Sequence, residues 1–200
     1  MLKVAVLVSG RGSNLQALID ICADPAFPAE IVTVISNIPD VYGLERAQTA
    51  GIATDVVNHR DFENRENFET ALQAAISQSG AELICLAGFM RILTAGFVNR
   101  WRDRLVNIHP SLLPSFKGLH VHEQALEAGV KISGCTVHFV VPEMDAGPII
   151  VQEAVPVLPG DDADALAARI LEAEHRCYPH ALRLIAEGRT EVVGERVVIK

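Results

Sequence analysis

Basic residues are in short supply. The 200-residue chain carries 17 Lys and Arg against 25 Asp and Glu, a formal charge of -8, with no long charge run. That balance speaks against a phosphate-coating nucleic-acid binder, which shows a basic face. It leaves room for a small anionic substrate at a local positive site. Long apolar runs are missing as well. The N-terminal MLKVAVLVSGRGSN falls far short of the ~20 residues of a membrane helix, and no small-residue cleavage site follows it. A cytoplasmic protein with no nucleic-acid or membrane partner is the expectation. The four cysteines, Cys22, Cys85, Cys135 and Cys177, are widely separated and form no CxxC or metal-ligand spacing. They read as reduced core thiols, with no metal centre. Low-complexity tracts, internal repeats and linker composition are absent too, so a single domain over residues 1–200 is expected.

Half the residues are apolar, and their arrangement is regular. Leu2 to Val8 (LKVAVLV) is a β-branched run of the kind found in a strand covered on both faces. Ser13 is positioned to cap a helix carrying Leu15, Leu18, Ile19 and Cys22. The alternation repeats: strands at Ile31–Ser36, Thr54–Val57 and Leu83–Ala87, helices at Tyr42–Ala50, Arg65–Gln78 and Ala95–Trp101, then a strand at Leu105–Ile108. Strand and helix taking turns predict a doubly wound, mainly parallel sheet with helices on both faces. Longer strands at Gly134–Val141 and Ile149–Val157 predict that the sheet turns mixed. Asp161 or Asp162 would cap a long helix running toward Ala186, kinked near Pro179, and Val192–Ile199 would form a small hairpin.

Four features stand out against this background. SGRGSN (Ser9–Asn14) joins the first strand to the first helix, where glycines permit a sharp turn and free amides can cradle an anion. A dinucleotide site would want a glycine at Leu15 and an acid at the end of the second strand, which instead ends in Ser36 and Asn37. A Walker loop would want a lysine before the Ser. The terminal phosphate of a small substrate suits the loop better than either, and a tight turn with no ligand is the plainer alternative. Next, an apolar run ends in Asn107 and His109, two residues apart and hence on one face of a strand, followed by a proline-broken loop. An imidazole titrating near neutrality beside an amide can polarise a carbonyl and manage a proton. Third, Asp145 stands in PEMDAGPII, framed by Pro142, Gly147 and Pro148, where it is able to orient His109; a turn-stabilising aspartate is the alternative. Fourth, Glu174 falls on the apolar stripe Leu166, Ile170, Cys177, Ala181, Ile185, a costly place for a carboxylate without a partner or ligand. An ion pair at the core edge is the competing explanation. HVH at His120–His122 could in principle hold zinc, but it has no cysteine or carboxylate companions.

Taken together, SGRGSN, LAGFMRIL (Leu86–Leu93), NIHPSLLP (Asn107–Pro114), GLHVHEQALEAG (Gly118–Gly129) and MDAGPII (Met144–Ile150) resemble, in order and over nearly the whole chain, the folate-dependent phosphoribosylglycinamide formyltransferases of purine synthesis. The resemblance implies a Rossmann-like formyltransferase fold with a mixed seven-stranded sheet. It also implies formyl transfer from 10-formyltetrahydrofolate, a co-substrate, to glycinamide ribonucleotide, by a monomer or homodimer. By that likeness Asn107, His109 and Asp145 are catalytic. Gly12, Ser13 and Asn14 meet the substrate phosphate, and Glu174 its ribose. The folate runs past Met90, Arg91, Ile92 and Leu93 and the loop Val141, Pro142, Glu143 and Met144, with Arg65 near its acidic tail. Pro142 stands where the family often places a polar residue. Two relatives fit less well: a formyltetrahydrofolate deformylase usually carries an extra N-terminal domain, and methionyl-tRNA formyltransferase a C-terminal RNA-binding barrel. A non-catalytic sensor of a phosphorylated metabolite would not need the trio.

Overall fold

The structure is a computed structural model that describes all residues 1–200. The chain forms two compact units, Met1–Val106 and Asn107–Lys200.

In the first unit, β1 (Leu2–Val8) pairs in parallel with β2 (Ala29–Ser36) on one side and β4 (Leu83–Leu86) on the other. β3 (Thr54–Val56) pairs in parallel with β2. Parallel neighbours need crossovers, supplied here by α1 (Ser13–Cys22), α2 (Tyr42–Thr49) and α3 (Arg65–Ser79). Val4 to Val8 are fully buried, as a central strand demands; each Val or Leu so removed from water contributes roughly 1.5–3 kcal/mol. A single 3₁₀ turn (His59–Asp61) follows β3, and α4 (Ala95–Arg100) precedes β5 (Leu105–His109).

The second unit holds α5 (Val121–Glu127), then β6 (Ile132–Phe139) and β7 (Ile149–Pro156) as an antiparallel pair against which α6 (Ala163–Ala186) packs. β8 (Thr190–Val193) and β9 (Arg196–Ile199) close the chain as an antiparallel hairpin. Seven strands run in the order β3-β2-β1-β4-β5-β6-β7, a mixed, mainly parallel sheet as the sequence predicts.

The expected elements differ from the observed ones in a few places. Ser13 does not cap α1: Gly12, at φ 68, takes the N-cap position, and its carbonyl accepts the Gln16 amide at 2.9 Å. Ser13 is the first helical residue instead, and no side chain caps that turn. Asp162 caps α6 by accepting the Ala165 N–H, whereas Asp161 binds Arg169 through two oxygens. α6 continues through Pro179 to Ala186. The 3₁₀ turn and α5 had no periodic signal, being too short to show one. The four cysteines are free thiols; three are buried and Cys22 half-buried, its thiol pushed up to about 11 by burial.

Candidate active site

The carboxyl end of β5 sets out Asn107 and His109 on one face, with Ile108 on the other. His109 is 6% exposed. Its Nε2 lies 2.9 Å from the carbonyl of Phe116, and its Nδ1 lies 3.6 Å from Asp145 Oδ2. A carbonyl only accepts, so Nε2 carries a proton and Nδ1 is the nitrogen left for chemistry. Asp145 Oδ2 in turn accepts the Gly118 amide at 2.8 Å. Phe116 and Asp145, which face the two ring nitrogens, both have left-handed backbones, at φ 54 and φ 49. Such positions are uncommon outside glycine and gather where the surroundings enforce them.

The loops carrying these groups are tied down by buried polar side chains. Ser111, fully buried, donates its hydroxyl to the carbonyls of Ser115 and Phe116, at 2.6 and 3.0 Å. Thr136 on β6 donates to the Ser111 carbonyl while accepting from the Leu113 amide and from Gln152 Nε2. At the end of β6, the Phe139 amide donates to the Pro148 carbonyl at 2.9 Å. A Cβ on Gly147 would lie 1.7 Å from the Phe139 carbonyl oxygen, so only glycine lets the Asp145 loop fold back this closely.

His138 is a member of this site that the sequence reading passed over. Its Nδ1 faces the Phe139 carbonyl at 3.1 Å, and its Nε2 lies 3.4 Å from Asn107 Nδ2. With Nδ1 donating, Nε2 is an acceptor, and it fixes which end of the Asn107 amide is the NH2. The second N–H of that group is then a donor for a ligand oxygen. Burial holds the His138 pKa below its ordinary value, with His109 adding in the same direction and the Phe139 hydrogen bond and Asp145 opposing. His122, half-buried at the start of α5, is also shifted down by burial and by His109, against Glu123. The cue for His138 was a polar residue inside an apolar strand, which must find partners.

A pH dependence follows. A histidine whose folded pKa lies below its unfolded value of ~6.5 leaves the unfolded chain binding more protons in acid. The stability present above about pH 6.5 is therefore lost as the pH falls toward the lower folded values. Urea unfolding midpoints are expected to drop between about pH 7.5 and about pH 5.5, and His138→Gln is expected to flatten that fall.

Within the first unit, Gly12, Ser13 and Asn14 lie together where β1 passes into α1. α2 approaches this turn closely: the Gly43 amide donates to the Gly10 carbonyl at 3.0 Å, and a Cβ on Gly12 would lie 2.8 Å from Gly43 Cα. Arg46 donates from Nε to the Arg11 carbonyl at 2.9 Å. Asn37, where a dinucleotide site would need an acid, is buried and accepts the Ser9 hydroxyl. Met90 and Ile92 are exposed, Arg91 half-buried and Leu93 buried; Arg65 is the exposed first residue of α3. In the second unit, Pro142, Glu143 and Met144 form an exposed loop after half-buried Val141. Glu174 is buried on α6, as its place on the apolar stripe predicted, although Leu184 and not Ile185 continues that buried face.

An amide donor, an imidazole and a carboxylate converging without a nucleophilic serine or cysteine among them are groups that can polarise an acyl oxygen and move a proton, the chemistry of a carbonyl-directed transferase or hydrolase. The chain belongs to the formyl transferase family, whose profile matches residues 2–182. It is 46% identical to the phosphoribosylglycinamide formyltransferase of Escherichia coli (strain K12), over 96% of this chain and 90% of that protein. It is 54% identical to the trifunctional purine biosynthetic protein adenosine-3 of Bos taurus, over 93% of this chain but 18% of that protein. The chain thus spans less than a fifth of that trifunctional relative. Among solved structures, glycinamide ribonucleotide transformylase 1 from Symbiobacterium toebii superposes with a TM-score of 0.97 at 48% identity, covering 100% of this chain and 94% of that one.

Proposed function

We propose that this chain, working as one formyltransferase domain, transfers the formyl group of 10-formyltetrahydrofolate to the amino group of glycinamide ribonucleotide in cytoplasmic purine synthesis. The observation that carries this reading is the approach of His109 Nδ1 to Asp145 Oδ2 at 3.6 Å, beside an Asn107 amide held by His138. The near-complete span shared with the E. coli protein named for this reaction supports it.

The folate supplies a formyl carbon with a nitrogen leaving group. As the amine adds to that carbon, negative charge grows on the formyl oxygen, and donors already in place are what lower the barrier. The uncommitted Asn107 N–H and the protonated His109 Nδ1 are those donors. The adding nitrogen must lose a proton as the bond from carbon to the folate nitrogen breaks, and that folate nitrogen must gain one. Asp145, fixed by the Gly118 amide, is the carboxylate that accepts and returns the proton, directly or through a water. The substrate phosphate is met by the α1 amides at Gly12, Ser13 and Asn14, where the helix dipole favours an anion. Glu174 takes the ribose hydroxyls. Met90, Arg91, Ile92 and Leu93, with Val141, Pro142, Glu143 and Met144, line the folate, and Arg65 meets its acidic tail.

Omission of one substrate tests this directly. Tetrahydrofolate is expected to form only when both 10-formyltetrahydrofolate and glycinamide ribonucleotide are supplied. Its release with water alone would make the chain a hydrolase, and no release under either condition would make it a binder.

A further inference from the structure

We infer that Glu69 and Ser9 are positioning residues that anchor the two ends of the Met90–Leu93 segment for folate binding, an inference that rests on reading that segment as a folate contact. Glu69 belongs to α3 and is only 6% exposed. Burying a carboxylate is costly unless donors meet it. Here both donors come from one residue: the Thr94 amide donates to Oε1 at 2.6 Å, and the Thr94 hydroxyl donates to Oε2. Thr94 directly follows Leu93 and is the N-cap of α4, its Oγ1 accepting the Phe97 amide at 3.3 Å. One turn along α3, Gln73 accepts the Trp101 indole N–H at 2.7 Å. Thus α3 holds both ends of α4, and through Thr94 the far end of the segment.

The near end is held separately. The Met90 amide donates to Ser9 Oγ at 2.7 Å, and the Ser9 hydroxyl donates to Asn37 Oδ1. Asn37 is buried and braced by His59, whose Nδ1 lies 2.8 Å from the Asn37 carbonyl oxygen. Between these anchors Met90 is 70% and Ile92 64% exposed. Two large apolar side chains left in water next to a tied backbone are the opposite of what collapse alone would give. A segment held this way avoids the ordering cost that a free loop incurs on binding, and a carboxylate is the acceptor that holds two donors most firmly.

Glu69→Gln puts an amide donor against a Thr94 donor, Thr94→Val deletes the hydroxyl, and Ser9→Ala releases the Met90 end. Each is expected to raise the KM for 10-formyltetrahydrofolate, and the Kd of tetrahydrofolate by calorimetry, about tenfold, with kcat and the KM for glycinamide ribonucleotide within about twofold of the parent. Thr94→Ser keeps both donors and is expected to restore parent values. Ile92→Ala reads the segment itself. If it leaves the tetrahydrofolate Kd unchanged, the folate reading of the segment is wrong and the anchoring role falls with it. If Ile92→Ala weakens binding while the anchor variants do not, or if they weaken both substrates alike, the residues are structural only and the inference is overturned.

Discussion

Asp145→Asn is expected to lower turnover by roughly 10²-fold to 10⁴-fold, the range a positioned proton-transfer group supplies. The fold is expected to survive, because the asparagine side-chain oxygen can still accept the Gly118 amide that Asp145 Oδ2 accepts now. The left-handed backbone at this position suits Asn as well as Asp. What the variant loses is the ability to take a proton and the negative charge facing His109 Nδ1. Steady-state turnover with both substrates, next to a circular dichroism spectrum, checks the expectation. An Asn variant within about tenfold of the parent rate and with an unchanged spectrum would remove Asp145 from proton transfer.

The second large effect is at Asn107. Asn107→Ala deletes a proposed oxyanion donor and is expected to cost about 10²-fold to 10³-fold in kcat, with a much smaller change in KM, as befits an interaction made chiefly in the transition state. His138→Leu is expected to cost less, since the amide remains and only its orientation is released. Comparing the two separates the donor from the group that aims it. A loss of KM alone in Asn107→Ala would mean that the amide binds substrate and does not stabilise developing charge.

The elements were legible where one local pattern decides them. Leu2–Val8 is a β-branched run matching β1 residue for residue, and Tyr42, Arg65 and Ala95 open helices where the apolar spacing places them. Asn107 and His109 were visible because polar residues that end an apolar strand have few structural excuses. The roles of other groups depend on which distant segment they meet, and no local spacing encodes that. β6 is buried on both faces, so strand alternation gave no reason to single out His138. Glu69 lies among polar residues at the start of α3, and only the position of Thr94, 25 residues later, shows what its carboxylate does. Ser is a favoured N-cap residue, which points to Ser13, but a left-handed Gly12 already makes the turn.

The contact between Gly12 and Gly43 limits how this protein can be re-engineered. A methyl group on Gly12 would lie 2.8 Å from Gly43 Cα, and one on Gly43 would lie 3.0 Å from the Gly10 carbonyl oxygen, so enlarging either one presses the turn before α1 against the start of α2. On the proposed phosphate reading of this turn, a design for a bulkier anion leaves both glycines in place and varies their neighbours Arg11 and Ser13.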